Sequence, residues 1–251
     1  MKKFYEKTEL GFALAWIGIY CVLMSVGDNL SASIGIEKII TLPIAAVLSI
    51  VMFVFVKENG LFEKYGLCKS KTPAKKMIYY FPIIVLLTAN LWHGVRMNMS
   101  LMETMFYVSS MLCVGFLEEM IFRGLLFNAM LKDSSKTAII VSSITFGMGH
   151  IINLINGSGA ELISNLMQVV YASAVGFMFV MMYCKSKSLI ICIATHGIFN
   201  AISVFSNEVN VTNEMRMLPT LQGELISCVL LVLISGGYAV YIALKTRKDY
   251  A

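Results

Sequence analysis

Charge is what this sequence has little of. Only 14% of its 251 residues are Asp, Glu, Lys or Arg, where soluble domains carry about 25%. That shortage excludes an ordinary soluble domain. The 58% hydrophobic content and the mean hydropathy of +0.77 point to lipid instead. Histidine is scarce, at three residues, and so is proline, at four. Six cysteines are present (Cys21, Cys68, Cys113, Cys184, Cys192 and Cys228), but none form a C-x-x-C pair. They read as small packing residues in apolar segments. There is no H-E-x-x-H, no internal repeat and no low-complexity tract. No small-residue cleavage site follows Lys2, Lys3 and the first apolar run, so that run is expected to stay as an anchor. The final residues, Lys245 to Ala251, carry no prenylation box.

What the chain does have is long apolar runs. At about 20 residues per crossing, its length accommodates roughly eight helices with short loops. The expectation is an all-α polytopic transmembrane bundle, with residues 1–251 forming a single membrane-embedded domain in the cell membrane. Spans are predicted near 10–27, 39–56, 77–93, 104–131, 137–155, 162–183, 188–206 and 224–244. The fourth is longer than one crossing needs. Pro43 and Pro82 fall near span starts, where a missing N–H is tolerated.

Loop charges orient these spans. With both termini in the cytoplasm, the inner segments hold Lys2, Lys3, Lys7, Lys57, Lys64, Lys69, Lys71, Lys75, Lys76, Lys132, Lys136, Lys185, Lys187, Lys245, Arg247 and Lys248. These are 16 of the 20 basic residues. The outer loops hold Lys38, Arg96 and Arg216, and Arg123 lies inside the fourth span. This asymmetry is what the positive-inside rule gives for an even number of spans. The net charge of +5 therefore reads as topology and contact with membrane lipid, not nucleic-acid binding. The outer segment 207–223 suggests no function.

Against this background the ionisable groups inside spans stand out, because each costs several kcal/mol to place in hydrocarbon (roughly 2.5–3.5 for a charged residue at mid-helix). Phe116-Leu-Glu118-Glu119-Met-Ile-Phe-Arg123-Gly124 carries three of them. Adjacent helical residues point about 100° apart, so Glu118 and Glu119 cannot do the same job. Glu119 and Arg123 have the i, i+4 spacing of an ion pair. Glu118 lacks an intrahelical cation and is the carboxylate expected to be poised as a general base. Phe146-Gly-Met-Gly-His150 adds an imidazole, with Gly147 and Gly149 expected to permit close helix approach. His196-Gly-Ile-Phe-Asn200 puts an imidazole and an amide on one face. Counted from the nearest inner lysines, Glu118, His150 and His196 lie roughly 14–21 Å from the same side, at 1.5 Å per residue. His93, beside the interfacial anchor Trp92, is assigned no catalytic role.

Glu118-Glu119-x-x-x-Arg123, Phe146-x-x-x-His150 and His196-x-x-x-Asn200, in this order, resemble the three motifs of the CAAX-protease and bacteriocin-processing family (CPBP, also called Abi). Its members are intramembrane endopeptidases and include the type II CAAX prenyl proteases. The motif core covers about residues 116–200, and the flanking spans resemble the family only in topology. The resemblance implies that Glu118, assisted by His150, activates a water for attack on a scissile carbonyl. It implies that His196 and Asn200 stabilise the oxyanion, that Glu119 and Arg123 hold the site together, with Glu119 open to a more direct part, and that Phe146 packs one turn before His150.

A metal stays open at this point. Glu118, His150 and His196 are the residue types of a His₂Glu zinc site, although each comes from a different span. A metal-independent glutamate mechanism is preferred, because a metal-bound Glu118 would require another group as base, and the nearest candidate, Glu119, is expected to pair with Arg123. The expected partners are a peptide or membrane-protein substrate and lipid. Two other functions compete. One is a non-catalytic membrane immunity or adaptor protein retaining the protease scaffold. The other is a proton-coupled carrier, disfavoured by the lack of duplicated halves with broken helices.

Overall fold

A computed structural model of the chain describes residues 1–73, 80–92, 94–154, 161–206 and 220–246. His93, Lys75, Lys76, Arg247, Lys248 and the outer segment through 219, with Glu208, Glu214 and Arg216, lie outside the described residues.

The protein is an all-helical membrane protein. A short α1 (Lys2–Lys7) precedes α2 (Glu9–Ile34), α3 (Thr41–Glu58) and α4 (Tyr80–Thr88), which ends in a 3₁₀ turn, Ala89–Leu91. One continuous rod follows: α5 (Leu101–Glu119), a π-helical stretch (Met120–Phe127) and α6 (Asn128–Leu131). Then come α7 (Ser135–Met148) with a 3₁₀ extension (Gly149–Leu154), α8 (Leu162–Ser186), α9 (Ile190–Ile202) with the turn Ser203–Phe205, and α10 (Thr220–Thr246). Among the described residues six helical rods are long and apolar enough to cross a bilayer, and Phe81–Leu91 and Ile190–Phe205 are shorter apolar helices. The long fourth span is the 31-residue rod Leu101–Leu131.

Local signals set the helix ends. The Thr8 side chain accepts from Gly11 N at the start of α2. Ser100 and Glu103 form a reciprocal capping box on α5, which satisfies two of the backbone donors a helix start leaves open. Gly35, at φ 79°, closes α2 in the left-handed conformation that glycine adopts without steric cost. Pro43 sits in the first turn of α3 as expected. α2 and α3 bury one stripe each and leave the other sides apolar and open, as lipid requires, whereas α8 is buried on all sides over Met178–Cys184. On α2 the buried stripe is Phe12, Trp16, Tyr20, Met24, Gly27 and Ser31, while Leu14, Val22, Val26 and Leu30 are exposed.

The loops sort into two groups at opposite ends of the bundle. At one end Leu189 N donates to Gly66 O (2.7 Å), Lys71 N to Ser186 O (2.8 Å) and Thr72 Oγ1 to Lys185 O (2.8 Å). There too Glu9 pairs with Lys64 (2.8 Å) and Lys132 (3.0 Å). Burial alone would lower the Lys64 ammonium's pKa, but bonds to Glu9 and Tyr5 hold it above the ordinary lysine value. At the other end Val95 pairs with Ser206 in an isolated antiparallel bridge, and the Asn98 amide donates to Val204 O and Ser206 O. Lys38 pairs there with Asp28 at 2.8 Å. These groups are the same two sets that the lysine asymmetry separates. α9 therefore runs from one end to the other despite its short length, beginning beside Gly66 and ending beside Val95.

In the interior, α5 packs on α9 and α3, α8 packs on α7 and α10, and α2 packs on the π-helical stretch. Small residues decide how closely these rods approach. A Cβ on Gly115 of α5 would lie 2.5 Å from Gly197 Cα on α9. A Cβ on Gly147 of α7 would lie 2.7 Å from Val169 O on α8. Gly149 makes no such approach: a Cβ there meets nothing within 4 Å. The reason is that α7 has already given way to the 3₁₀ extension, which turns Gly149 out of the helix contact.

Candidate active site

The first acidic residue to be fixed is Glu119. It is fully buried at the last α-helical position before the π-helical stretch, and Arg123, also fully buried, donates to its Oε1 from Nη1 at 2.9 Å. The guanidinium is held from two sides by aromatic faces, its Cζ lying 4.1 Å from the Phe146 ring centroid and 5.6 Å from that of Phe179. Cation–π contact of this kind offsets part of the desolvation of a buried cation. The widened backbone of Met120–Phe127 carries Arg123 and lies wholly in the core. π-helical elements collect at functional sites, usually as single-turn bulges; this one is eight residues long. Nothing in the hydrophobic pattern signals it, since the residues read equally well as ordinary helix.

Glu119 Oε1 has a second partner. His196 Nδ1 lies 2.9 Å away. A carboxylate offers only acceptors, so Nδ1 carries the hydrogen and the ring's Nε2 is left facing the other way. There it meets Glu118, whose Oε2 is 3.6 Å distant. The close Gly115–Gly197 crossing brings α9 near enough for one imidazole to reach both carboxylates. This crossing escapes a sequence reading because Gly115 has no small residue at helical spacing, and nothing in the sequence pairs it with the Gly197-x-x-x-Ala201 of α9.

Glu118 points away from Arg123, as its 100° offset from Glu119 requires. It is the less enclosed of the pair, with 14% of its side chain exposed. Its Oε1 accepts a 2.6 Å hydrogen bond from the Tyr20 hydroxyl of α2. Tyr20 belongs to the buried stripe of α2, and by sequence it is indistinguishable from a packing aromatic.

His150 lies in the 3₁₀ extension beyond α7, not in the body of a helix as the predicted span 137–155 implies. Its carbonyl accepts from Asn165 Nδ2 of α8 at 2.8 Å, and Asn165 is 1% exposed. Phe146, one turn earlier, contacts the rings of both His150 (centroids 5.8 Å apart) and His196 (5.4 Å), each edge to face. Phe146 therefore links the second motif to the third as well as to Arg123. The resemblance implies only that it packs beside its own histidine.

A small cavity of about 40 Å³ opens among these residues. His150, His196 and Asn200 line it with Gln168, and aromatic rings from Phe146, Tyr171, Phe179 and Phe199 form much of the rest. The space is mostly apolar but carries four polar side chains, and its volume exceeds the roughly 10–15 Å³ that a water held by two to four polar partners needs. Glu118 is not among the lining residues and reaches the cavity's edge through His196. Gln168 and Asn165, both polar positions in the apolar α8, are site neighbours that the motif pattern misses. Their signal is the presence of two amides three residues apart in a predicted span.

The candidate metal set is not drawn together. Among the described residues no group of three His, Cys, Asp or Glu side chains is arranged to hold a metal ion, Glu118, His150 and His196 included. The donors present do not fit a His₂Glu zinc site in this arrangement.

Residues 100–202 match the family model described as type II CAAX prenyl endopeptidase Rce1-like. The match makes this part of the chain, 103 of its 251 residues, similar to the CAAX-protease family. It spans all three motifs and extends from the start of α5 to the end of α9, leaving α2, α3 and α10 outside it. No curated protein and no solved structure gives a significant match. That similarity supports a CAAX-type intramembrane protease, and with six long apolar rods among the described residues the protein is a multi-pass integral membrane protein.

Proposed function

We propose that this chain is an endopeptidase that hydrolyses a peptide bond within the membrane, using a water activated by Glu118. The observation that supports this most is the single imidazole of His196 set between Glu119 and Glu118, beside a cavity shared with His150 and Asn200. Glu118 accepts the proton of the attacking water as general base, a role worth about 10²–10⁴-fold in rate. His150, which lines the same cavity, orients that water. His196, with Nδ1 committed to Glu119, presents Nε2 to the reaction. Carrying a proton there, it donates to the developing oxyanion, and the Asn200 amide donates alongside it. Glu119 and Arg123 keep the imidazole in this orientation.

The reading is metal-independent, and every step above is assigned to the chain's own side chains. The substrate is a peptide or a membrane protein. Leader-peptide processing, bacteriocin processing or immunity, and cleavage of a signalling membrane protein are the roles it could serve. The N-terminus and C-terminus lie in the cytoplasm on this reading, with the site reached from that side.

Peptidomics of a deletion strain carrying either the wild type or Glu118→Gln tests the reading. The wild type should generate cleavage products that Glu118→Gln does not. Identical peptide profiles, with both proteins present in the membrane and a phenotype still complemented by Glu118→Gln, would favour a non-catalytic immunity or adaptor protein.

A further inference from the structure

The position of Glu118 depends on a residue far from the three motifs. Tyr20 lies on α2, outside residues 100–202, and its ring is buried at 8% exposure. Its hydroxyl donates to Glu118 Oε1 at 2.6 Å, a short bond of the charge-assisted kind. Arg123 is committed to Glu119, so it gives Glu118 no cation. The two oxygens of Glu118 are thereby made unequal: Oε1 is occupied by a phenol, and Oε2 faces His196 Nε2 at 3.6 Å. The anchor is rigid because Trp16 and Met24, one turn to either side of Tyr20, are buried in the same stripe and α2 packs on the π-helical stretch.

We propose that Tyr20 is a positioning residue that holds Oε1 of Glu118 and so directs Oε2 toward His196 and the reacting water. This inference rests on the endopeptidase reading for its kinetic consequence but not for the bond itself. A tyrosine that merely fills the core would need its ring and not its hydroxyl. Tyr20→Phe separates the two, since it keeps the packing and removes only the donor.

Two measurements on the full chain in liposomes decide it. The first is an isotope-edited infrared difference spectrum, wild type minus Tyr20→Phe, on protein labelled with ¹³C-glutamate. The expected result is a shifted carboxylate band that vanishes when the same comparison is made in the Glu118→Gln background. An unchanged band overturns the proposal whether or not a substrate is in hand. The second is turnover of a pool of internally quenched peptides. Tyr20→Phe should lower kcat by about tenfold while KM stays within about twofold, the signature of an interaction that matters in the transition state. An unchanged kcat, or a rise in KM alone, overturns it as well. A wild type that cleaves no peptide in the pool counts against the endopeptidase reading, and the infrared result still decides the Tyr20 bond.

Discussion

Glu119 and His196, 77 positions apart in the chain, are joined by a 2.9 Å hydrogen bond between two fully enclosed side chains. The bond fixes which imidazole nitrogen remains for other work and ties the first motif to the third. Its consequences differ from those of the neighbouring Glu118, and the difference can be measured.

Glu118 should be needed for turnover but not for folding. Its environment is partly open, and its amide isostere can still accept from Tyr20. Glu118→Gln is expected to lower kcat by about 10²–10⁴-fold, with the thermal unfolding midpoint in detergent within a few degrees of wild type. Unfolding monitored by intrinsic fluorescence, run beside a quenched-peptide assay, checks both halves.

Glu119 and Arg123 should behave in the opposite way. Removing either leaves an uncompensated charge in the core, which costs about 3–5 kcal/mol in buried pairs. Glu119→Ala and Arg123→Ala are therefore expected to lose folded protein, seen as low yield and early unfolding in size-exclusion and thermal-shift measurements. Arg123→Lys should recover only part of this, because an ammonium lacks the planar guanidinium that contacts the Phe146 and Phe179 rings while donating to Glu119.

The Gly115–Gly197 crossing predicts a steric result. A methyl group at Gly115 would lie 2.5 Å from the Gly197 backbone, so α5 and α9 must separate. Gly115→Ala is expected to reduce activity strongly by lengthening the Glu118–His196 and Glu119–His196 contacts, with a smaller loss of stability. Gly149→Ala, where nothing lies within 4 Å, should be almost silent. Comparing the two variants in the same assay separates close packing from mere glycine content.

Orientation in the membrane is open to direct labelling. If the lysine-rich end faces the cytoplasm, a cysteine replacing Lys69 should react with an impermeant maleimide only in inside-out vesicles. One replacing Arg96 should react in intact cells. The background is a chain whose native cysteines have been changed to serine or alanine. The reverse pattern would invert the topology.

Much of this architecture was legible in the sequence. Six of the eight apolar segments appear among the described residues as helices long enough to cross a bilayer, and the third and seventh as shorter apolar helices, because lipid demands a continuous apolar run that composition reports directly. The Glu119–Arg123 pair was legible for the same reason: i, i+4 spacing on a helix leaves two opposite charges little choice. The π-helical stretch was not, since its residues have the same polarity as an α-helix would need and only packing against α2 and α7 distinguishes them. The break after Met148 was hidden because Gly149-His150 does not by itself stop a helix. Tyr20, Asn165 and Gln168 were missed because their part in the site depends on which helices become neighbours, and nothing in the motif spacing encodes that. Three residue types suitable for a metal were present, but their side chains are not arranged around one point.

The donor arrangement gives the chelator experiment an expected result. Purified enzyme treated with 1,10-phenanthroline and then desalted should retain its activity, with no stoichiometric metal by elemental analysis. Loss of activity restored by Zn²⁺ would instead require Glu118, His150 and His196 to rearrange.

The most direct test of the central claim is cleavage by purified protein in liposomes, wild type beside Glu118→Gln and His196→Ala, against quenched peptides and a membrane-tethered substrate found by peptidomics. Turnover by the wild type alone, with all three proteins folded, is the predicted outcome. Equal turnover by the Glu118→Gln protein, or none by a folded wild type on a substrate that cells process only when this chain is present, would contradict it.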